Sequence, residues 1–172
     1  YGLSAGAWTA SGTGVSEDLN AVCGTTSNAV WAAGNDAAGQ NARVTAFNGI
    51  SWTALPTNIL LGNPLFALAC ANGQAYAVGK NMQVMDCSVA SCLASTAIAG
   101  EVGQTAYAIW ITPSSGSGSD IWVAGTAGKI YRYQTTPKTK QVVNSGTTQT
   151  LRHIFGKNNA DFYVTGDGGT VV

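Results

Sequence analysis

Residues 120–133, DIWVAGTAGKIYRY, read as a complete β-hairpin. Residues 121–124 are a β-branched and aromatic run, and residues 129–133 alternate polar and apolar side chains. Between these runs, residues 125–128 have glycine at both ends, which is typical of a tight turn. The stretch therefore predicts two antiparallel strands joined by a short connection.

The hairpin pattern recurs along the chain. Related segments are AVWAAG at 29–34, AYAVGKNMQVM at 75–85 and DFYVTGDGGTVV at 161–172. Each copy has an aromatic residue three positions before a glycine: Trp31, Tyr76, Trp122 and Tyr163 precede Gly34, Gly79, Gly125 and Gly166. These glycines are 45, 46 and 41 residues apart. A period of this length indicates stacked supersecondary units.

Each unit has further strand candidates around the hairpin. An apolar run precedes each aromatic residue: LNAVCG at 19–24, LFALAC at 65–70, AYAIWI at 106–111 and LRHIFG at 151–156. The first unit continues as strand, Asn-Gly turn and strand in VTAFNGISWTAL at 44–55. Four antiparallel strands in about 43 residues are typical of one β-propeller blade.

The sequence thus predicts an all-β propeller with four blade-equivalents of four antiparallel strands and almost no helix. Residues 1–172 are expected to form a single domain, which agrees with the usual domain size. A β-sandwich is the alternative fold, although it would not need equal spacing of the units.

The repeats resemble the blades of bacterial secreted β-propellers, whose pattern reads roughly D-V-W-A-V-G-D-G-G-T-I-x-x-Y-D-G-x-x-W. The resemblance lies in DIWVAGTAGKIYRY and FYVTGDGGTVV, with NGISW at 48–52 and AGAW at 5–8. It covers all 172 residues, and the second unit diverges most. The resemblance implies a propeller in an extracytoplasmic setting and no particular chemistry.

The two terminal segments complement each other. The last unit reaches Val172 after three strands, whereas residues 1–10, YGLSAGAWTA, read as strand, turn and strand. We therefore expect the last blade to be shared between N- and C-terminal segments, which closes a four-bladed ring within one chain. The same pairing between chains is the alternative and would give a homo-oligomer, either a larger ring or an open filament.

Composition limits the classes of partner. Eight basic and eight acidic residues give net charge zero, so no electrostatic footprint for nucleic acid is present. No apolar run approaches the roughly 20 residues of a membrane span. The chain shows no export signal, so either a signal has been removed or the chain was cut from a longer one.

The four cysteines indicate the compartment. Cys87 and Cys92 face each other across a predicted four-residue hairpin loop, which suits a disulfide. Cys23 and Cys70 fall near the ends of the first strands of neighbouring units, which adjacent blades bring side by side. Two disulfides would indicate an extracellular or cell-surface protein. Four free thiols in a cytosolic protein are the alternative.

Polar turn residues give the candidate ligand-binding site. Between Gly34 and Val44 the first unit holds nine residues, where the third unit has four, and such loops on rigid scaffolds concentrate binding residues. The second-to-third-strand turns share one face and gather these polar residues: Asn35, Asp36, Gln40, Asn41, Lys80, Asn81, Thr126 and Asp167. The predicted partner is a glycan or a protein.

Catalytic patterns are sparse. The best candidates are Asp36, Asp167 and the sole histidine, His153, and they support a carbohydrate-active hydrolase or lyase as the alternative function. GDGGT at 166–170 has no predicted helix after it, so it indicates a hairpin turn in place of a phosphate loop. No metal site and no cofactor is predicted. The expected function is a non-catalytic binding or structural module of the lectin-like kind.

Overall fold

The protein is described by a computed structural model that covers residues 2–4, 7–9, 12–13, 16–58, 62–94, 101–112, 119–135 and 138–172. Within these ranges the chain is built from antiparallel strands and two 3₁₀ turns, so the all-β prediction is confirmed. Tyr1, Ala5, Gly6 and Ala10 of the predicted N-terminal hairpin lie outside the described residues.

Three sheets have four strands each, connected in simple sequential order. Sheet I contains β3 (Leu19–Thr26), β4 (Ala29–Asn35), β5 (Ala42–Phe47) and β6 (Trp52–Ala54). Sheet II contains β7 (Leu65–Ala71), β8 (Gln74–Gly79), β9 (Val84–Cys87) and β10 (Cys92–Ala94). Sheet III contains β11 (Ala106–Ile111), β12 (Asp120–Gly125), β13 (Ile130–Thr135) and β14 (Lys138–Val143). These three sheets match the four strands per unit that the sequence predicts.

The remaining strands form two smaller sheets. Sheet IV contains β15 (Leu151–Asn158) and β16 (Asp161–Gly166), and residues 170–172 begin a third strand beside β16. The N-terminal hairpin pairs β1 (Gly2–Ser4) with β2 (Ala7–Thr9). Among the described residues, this hairpin and sheet IV are separate sheets. The joining of the terminal segments into one blade therefore stays a prediction.

The sheets stack face to face in chain order. The first strand of each sheet lies beside the first strand of the next: β3 beside β7, β7 beside β11, and β11 beside β15. Three apolar clusters fill the spaces between I and II, II and III, and III and IV. Sheets IV and I, at the two ends of the stack, share no comparable contact in the described part of the chain.

The repeated glycine is required by a close backbone approach. At the end of each second strand, the glycine passes the carbonyl oxygen of the residue just before the first strand of its own sheet. A Cβ atom at Gly34, Gly79 or Gly125 would lie 1.9 Å from that oxygen, and one at Gly166 would lie 2.4 Å away. Real Cβ atoms do not approach so closely, so only glycine fits this position of the repeat.

The disulfide predictions are confirmed. Cys23 is bonded to Cys70, which links β3 of sheet I to β7 of sheet II, with 5.7 Å between the Cα atoms. Cys87 is bonded to Cys92 across the β9–β10 hairpin of sheet II, where the two residues are direct cross-strand partners. No free cysteine occurs in the described ranges, which include all four cysteines of the chain.

Candidate functional site

All eight predicted ligand-binding residues lie at one edge of the stack, here called the turn edge, where the second strands pass into the third strands. One hydrogen bond recurs there in each of sheets I to IV. The backbone N–H of the residue after the repeated glycine donates to the carbonyl just before the first strand. The four bonds are Asn35 to Asp18 (2.9 Å), Lys80 to Pro64 (3.1 Å), Thr126 to Thr105 (2.9 Å) and Asp167 to Thr150 (2.8 Å). This bond anchors each turn to its own sheet.

The long turn of sheet I is organised by Asp36. Its carboxylate accepts hydrogen bonds from the backbone N–H groups of Gln40 (2.8 Å) and Asn41 (3.1 Å), and from the Asn41 side-chain amide. The hydrogen bond from the Gln40 N–H lowers the pKa of Asp36, and the hydrogen bonds from Asn41 and the charge of Arg43 lower it further. Asp36 is therefore a charged group that holds its own loop together and leaves Gln40 exposed at the tip.

Asn41 and Asn81 connect neighbouring sheets through the segment between them. The Asn41 Oδ1 accepts from the backbone N–H of Gly62 at 3.0 Å, and the Asn81 Nδ2 donates to the Oδ1 of Asn63 at 2.6 Å. Asn81 also accepts from the backbone N–H of Gly103 at 3.1 Å. Its positive φ of 60° is a conformation that asparagine tolerates better than most residues. Both asparagines thus stabilise the connections between sheets.

Lys80 and Thr126 meet at a common neighbour. Lys80 forms an antiparallel bridge with Thr105. The Thr126 hydroxyl accepts from the Thr105 N–H at 2.9 Å and donates to the Gln104 side chain at 2.7 Å. The backbone of Lys80 is fixed by these contacts, while the residue as a whole is exposed.

Asp167 is held by an arginine. Both oxygens of its carboxylate accept from Arg152, each at 2.9 Å, and the guanidinium carbon lies 4.6 Å from the centre of the Tyr107 ring. The hydrogen bond from Arg152 lowers the pKa of Asp167, and the same bond raises the pKa of Arg152. Because the pair is exposed, it contributes little stability.

The turn edge therefore carries a line of polar contacts that links the turns of sheets I, II and III. Asn41 and Asn81 both reach residues 62–63, and Lys80 and Thr126 both reach Thr105. Two further ion pairs lie along the line, Arg43 with Glu17 at 3.2 Å and Lys129 with Glu101 at 3.3 Å. Most charges of this edge are thus paired with each other. Of the eight predicted residues, Gln40, Lys80 and Asp167 are exposed, and Asp167 is already paired with Arg152.

Sequence reasoning missed the partners that order this edge. Gln104, Asn63, Glu17 and Glu101 lie in connecting segments that carry no periodic signal. Their partners are 18 to 28 residues away along the chain, and only the stacking of sheets brings them together.

A second polar cluster lies at the opposite edge, between sheets III and IV. Asn159 accepts from the indole Nε1 of Trp122 at 2.9 Å and from the hydroxyl of Thr112 at 2.7 Å. Asn159 also donates to Asp120, which accepts from Arg132 at 2.6 Å. Asp120 is thus paired with side chains of two sheets.

The three candidate catalytic residues have separate surroundings. Asp36 is bound by its own loop, and Asp167 is bound by Arg152. His153 is exposed on β15, opposite Thr165 of β16. In the part of the chain that the structure describes, no group of three histidine, cysteine, aspartate or glutamate side chains could hold a metal ion. Nor does any helix in these ranges have the length and apolar character to cross a membrane.

Comparisons with known proteins add a fold relationship. No protein-family model matches the sequence, and no curated protein matches it. Among solved structures, the chain is similar to the computationally designed Ika4 protein, with a TM-score of 0.62 and 13% sequence identity. The match covers 91% of this chain and 90% of Ika4. At this identity, the similarity concerns the fold alone.

Proposed function

We propose that this protein is a secreted or cell-surface, non-catalytic β-propeller module that presents the turn edge to a glycan or a protein. Four-stranded antiparallel sheets, stacked in chain order with their first strands side by side, support the propeller architecture. The observation that carries the binding role is the line of polar turn residues at one edge.

The charges of the turn edge support a neutral polar ligand. Arg43, Lys129 and Arg152 are each paired with a carboxylate, so an anionic ligand that bound one of these three would have to displace an existing partner. Amide and hydroxyl groups, in contrast, can donate to and accept from sugar hydroxyls or peptide groups. The exposed Gln40 and Lys80 are the side chains that a ligand would meet first.

The surroundings of the acidic residues support a non-catalytic role. A hydrolase that acts on glycosides requires two carboxyl groups facing one substrate, usually with one of them kept protonated. Asp36 and Asp167 have different partners and both have lowered pKa values. Both groups therefore stay ionised in the neutral range and are poor general acids.

The disulfides support an extracytoplasmic location. Cys23–Cys70 and Cys87–Cys92 are compatible with an oxidising compartment, because reducing compartments keep most thiols reduced.

A glycan array probed with the labelled protein, paired with a screen of chromogenic glycosidase and lyase substrates, tests this proposal. We expect binding without turnover. The double variant Gln40→Ala/Lys80→Ala should lose at least tenfold in affinity for the glycan bound. Ser27→Ala, an exposed change at the first-to-second-strand turn of sheet I, is the matched control and should bind as the parent does.

Two results would contradict the proposal. Turnover of any substrate on the screen would support the hydrolase or lyase. Equal affinities of the double variant and the parent would move the binding site away from the turn edge.

A further inference from the structure

We propose that two copies of this chain associate head to tail, with the outer face of sheet IV of one copy packed on the outer face of sheet I of the other. The inference rests on the stack of sheets and is independent of the ligand proposal. Its basis is a difference in exposure. Side chains at the same position of the repeat are buried between neighbouring sheets but exposed on the outer faces of sheets I and IV.

The aromatic residue three positions before the repeated glycine faces the next sheet. Trp31, Tyr76 and Trp122 have exposed fractions of 0%, 8% and 5%, because sheets II, III and IV cover them. Tyr163 occupies the same position in sheet IV and is 63% exposed. Among the described elements, nothing packs on this side of sheet IV.

Tyr163 is part of an apolar patch. Its direct cross-strand partner is Phe155, which is 69% exposed. Val171 pairs with Thr165 on the same face and is 67% exposed. We call these three side chains, Phe155, Tyr163 and Val171, the forward face. Large aromatic side chains placed side by side in water are typical of an interaction surface.

Sheet I has the complementary exposure on its other side. The first strands of sheets II, III and IV each have an equivalent residue that packs in the cluster with the preceding sheet. These residues are Leu68, Ile109 and Ile154, respectively. The strand registers make Val22 the equivalent in sheet I, because each of these residues pairs with the position two before the repeated glycine. Val22 is 67% exposed, whereas Ile154 is 4% exposed. We call the side of sheet I that carries Val22 the rear face.

The forward and rear faces fit each other because every contact inside the stack has the same form. In each contact, the side of a sheet that carries the repeated aromatic residue packs against the first-strand side of the next sheet that corresponds to the rear face. At the contact between sheets III and IV, Trp122 packs against Phe162, with ring centres 4.4 Å apart, and Ile154 belongs to the same cluster. Tyr163 of one copy and Val22 of another can repeat that arrangement. The occupant of the forward face is therefore best assigned to a second copy of this chain.

The strands of sheet IV and of the N-terminal hairpin point the same way. Sheet IV has its first two strands and the start of a third, at residues 170–172. The hairpin of β1 and β2 pairs Leu3 with Trp8, and β5 and β6 pair Phe47 with Trp52, so the two hairpins have equivalent registers. The β1–β2 hairpin of the second copy can thus continue sheet IV beyond β16 as its third and fourth strands. Pairing would also cover an open strand edge.

One head-to-tail contact between two copies leaves one forward face and one rear face unpaired. These two faces either meet, which closes a ring of two copies, or bind further copies, which gives a filament. Light scattering coupled to size exclusion over a hundredfold range of concentration tests the proposal. We expect a mass of at least twice the 17.5 kDa of one chain. A mass of one chain at every concentration would overturn the proposal, since it would mean that closure within the chain or an exposed face is the stable state.

Two charge substitutions test which faces meet. Phe155→Glu on the forward face and Val22→Glu on the rear face should each reduce the assembly to single chains. Tyr163→Ser, a milder change, should weaken it. Val142→Glu is the control, because Val142 is 70% exposed on the outer strand β14 and lies on neither face. Since all four positions are exposed, circular dichroism should show the parent fold in each variant.

Mixing the two charged variants distinguishes a head-to-tail contact from other contacts. The Val22→Glu chain keeps an intact forward face, and the Phe155→Glu chain keeps an intact rear face. Their mixture should form a two-chain species and nothing larger, although neither variant assembles alone. Assembly of either variant alone, failure of the mixture to pair, or an equal effect of Val142→Glu would overturn the proposal.

Discussion

The indole Nε1 of Trp122 donates a hydrogen bond to the Oδ1 of Asn159 at 2.9 Å, which ties the second strand of sheet III to the first turn of sheet IV. The same amide oxygen accepts from Thr112 at 2.7 Å. Asn159 therefore joins sheets III and IV. It also accepts hydrogen bonds from an indole N–H and a hydroxyl that would otherwise need a water molecule as acceptor.

Replacing Asn159 with alanine should destabilise the protein. The Trp122 side chain is 5% exposed, so its N–H would lose its partner in a mostly buried setting, at a cost of about 1–2 kcal/mol. Urea unfolding measures the change. Lys157→Ala, an exposed change on β15, is the control and should unfold as the parent does. An unchanged midpoint for Asn159→Ala would show that water replaces the amide.

Gly79→Ala should be among the most harmful single-methyl changes in the chain. The added Cβ would lie 1.9 Å from the Pro64 carbonyl oxygen, so the strand would have to move and weaken the bond from the Lys80 N–H. We expect a loss of about 3 kcal/mol in the free energy of unfolding. Gly12→Ala is the matched control, because no atom lies within 4 Å of a Cβ at that position. Equal stabilities of the two variants would contradict the close-approach explanation.

The two disulfides should contribute unequally. Their sequence separations are 47 and 5 residues, so the chain-entropy model gives about 4 kcal/mol for Cys23–Cys70 and about 2 kcal/mol for Cys87–Cys92. Replacing each pair with alanines and measuring unfolding in guanidinium tests this order. The mass of the unreduced parent should be four hydrogens below that of the reduced chain. Equal masses would remove the argument for an oxidising compartment.

Tyr133 should make stability fall at alkaline pH. Its hydroxyl is buried and has no hydrogen-bond partner among the described residues. Burial, with a smaller effect of the Glu101 charge, raises the pKa of Tyr133. The unfolded chain then loses this proton above pH about 10 while the folded chain keeps it, so stability falls by up to about 1.4 kcal/mol per pH unit.

Tyr133→Phe should remove this part of the alkaline loss and stabilise the protein by about 1 kcal/mol near neutral pH, because an unsatisfied hydroxyl is removed. Unfolding curves from pH 8 to 11 measure both effects. Tyr107→Phe, at a partly exposed ring, is the comparison for the neutral-pH effect and should not stabilise the protein. A destabilised Tyr133→Phe at neutral pH would indicate a partner for the hydroxyl.

The repeat pattern predicted the sheets because their causes are local. Alternation, the Asn48-Gly49 turn and the aromatic residue three positions before each repeated glycine each act over a few residues, and all three agree with the strands observed. The disulfide of Cys87 and Cys92 followed from the same reasoning, since a hairpin fixes which residues face each other.

The environments of individual side chains could not be predicted in the same way. Tyr163 and Trp122 have the same place in the repeat, but their exposure depends on whether another sheet follows. Asp120 pairs with Arg132 and Asn159, and the Asn159 partner is 39 residues away in the next sheet. Such contacts depend on how the sheets stack. The periodicity of the sequence indicates that the sheets stack, but it does not specify which side chains then meet.

The Cys23–Cys70 bond also determines how the chain would respond to a pulling force. When the chain is stretched from its two ends, the residues between these cysteines stay out of the load path, because tension passes through the disulfide. An extended residue spans at most roughly 3.5 Å, so the fully stretched oxidised chain should be about 160 Å shorter than the chain without this bond. Tension would thus straighten sheets III and IV completely while most of sheet I and the first strand of sheet II remain slack.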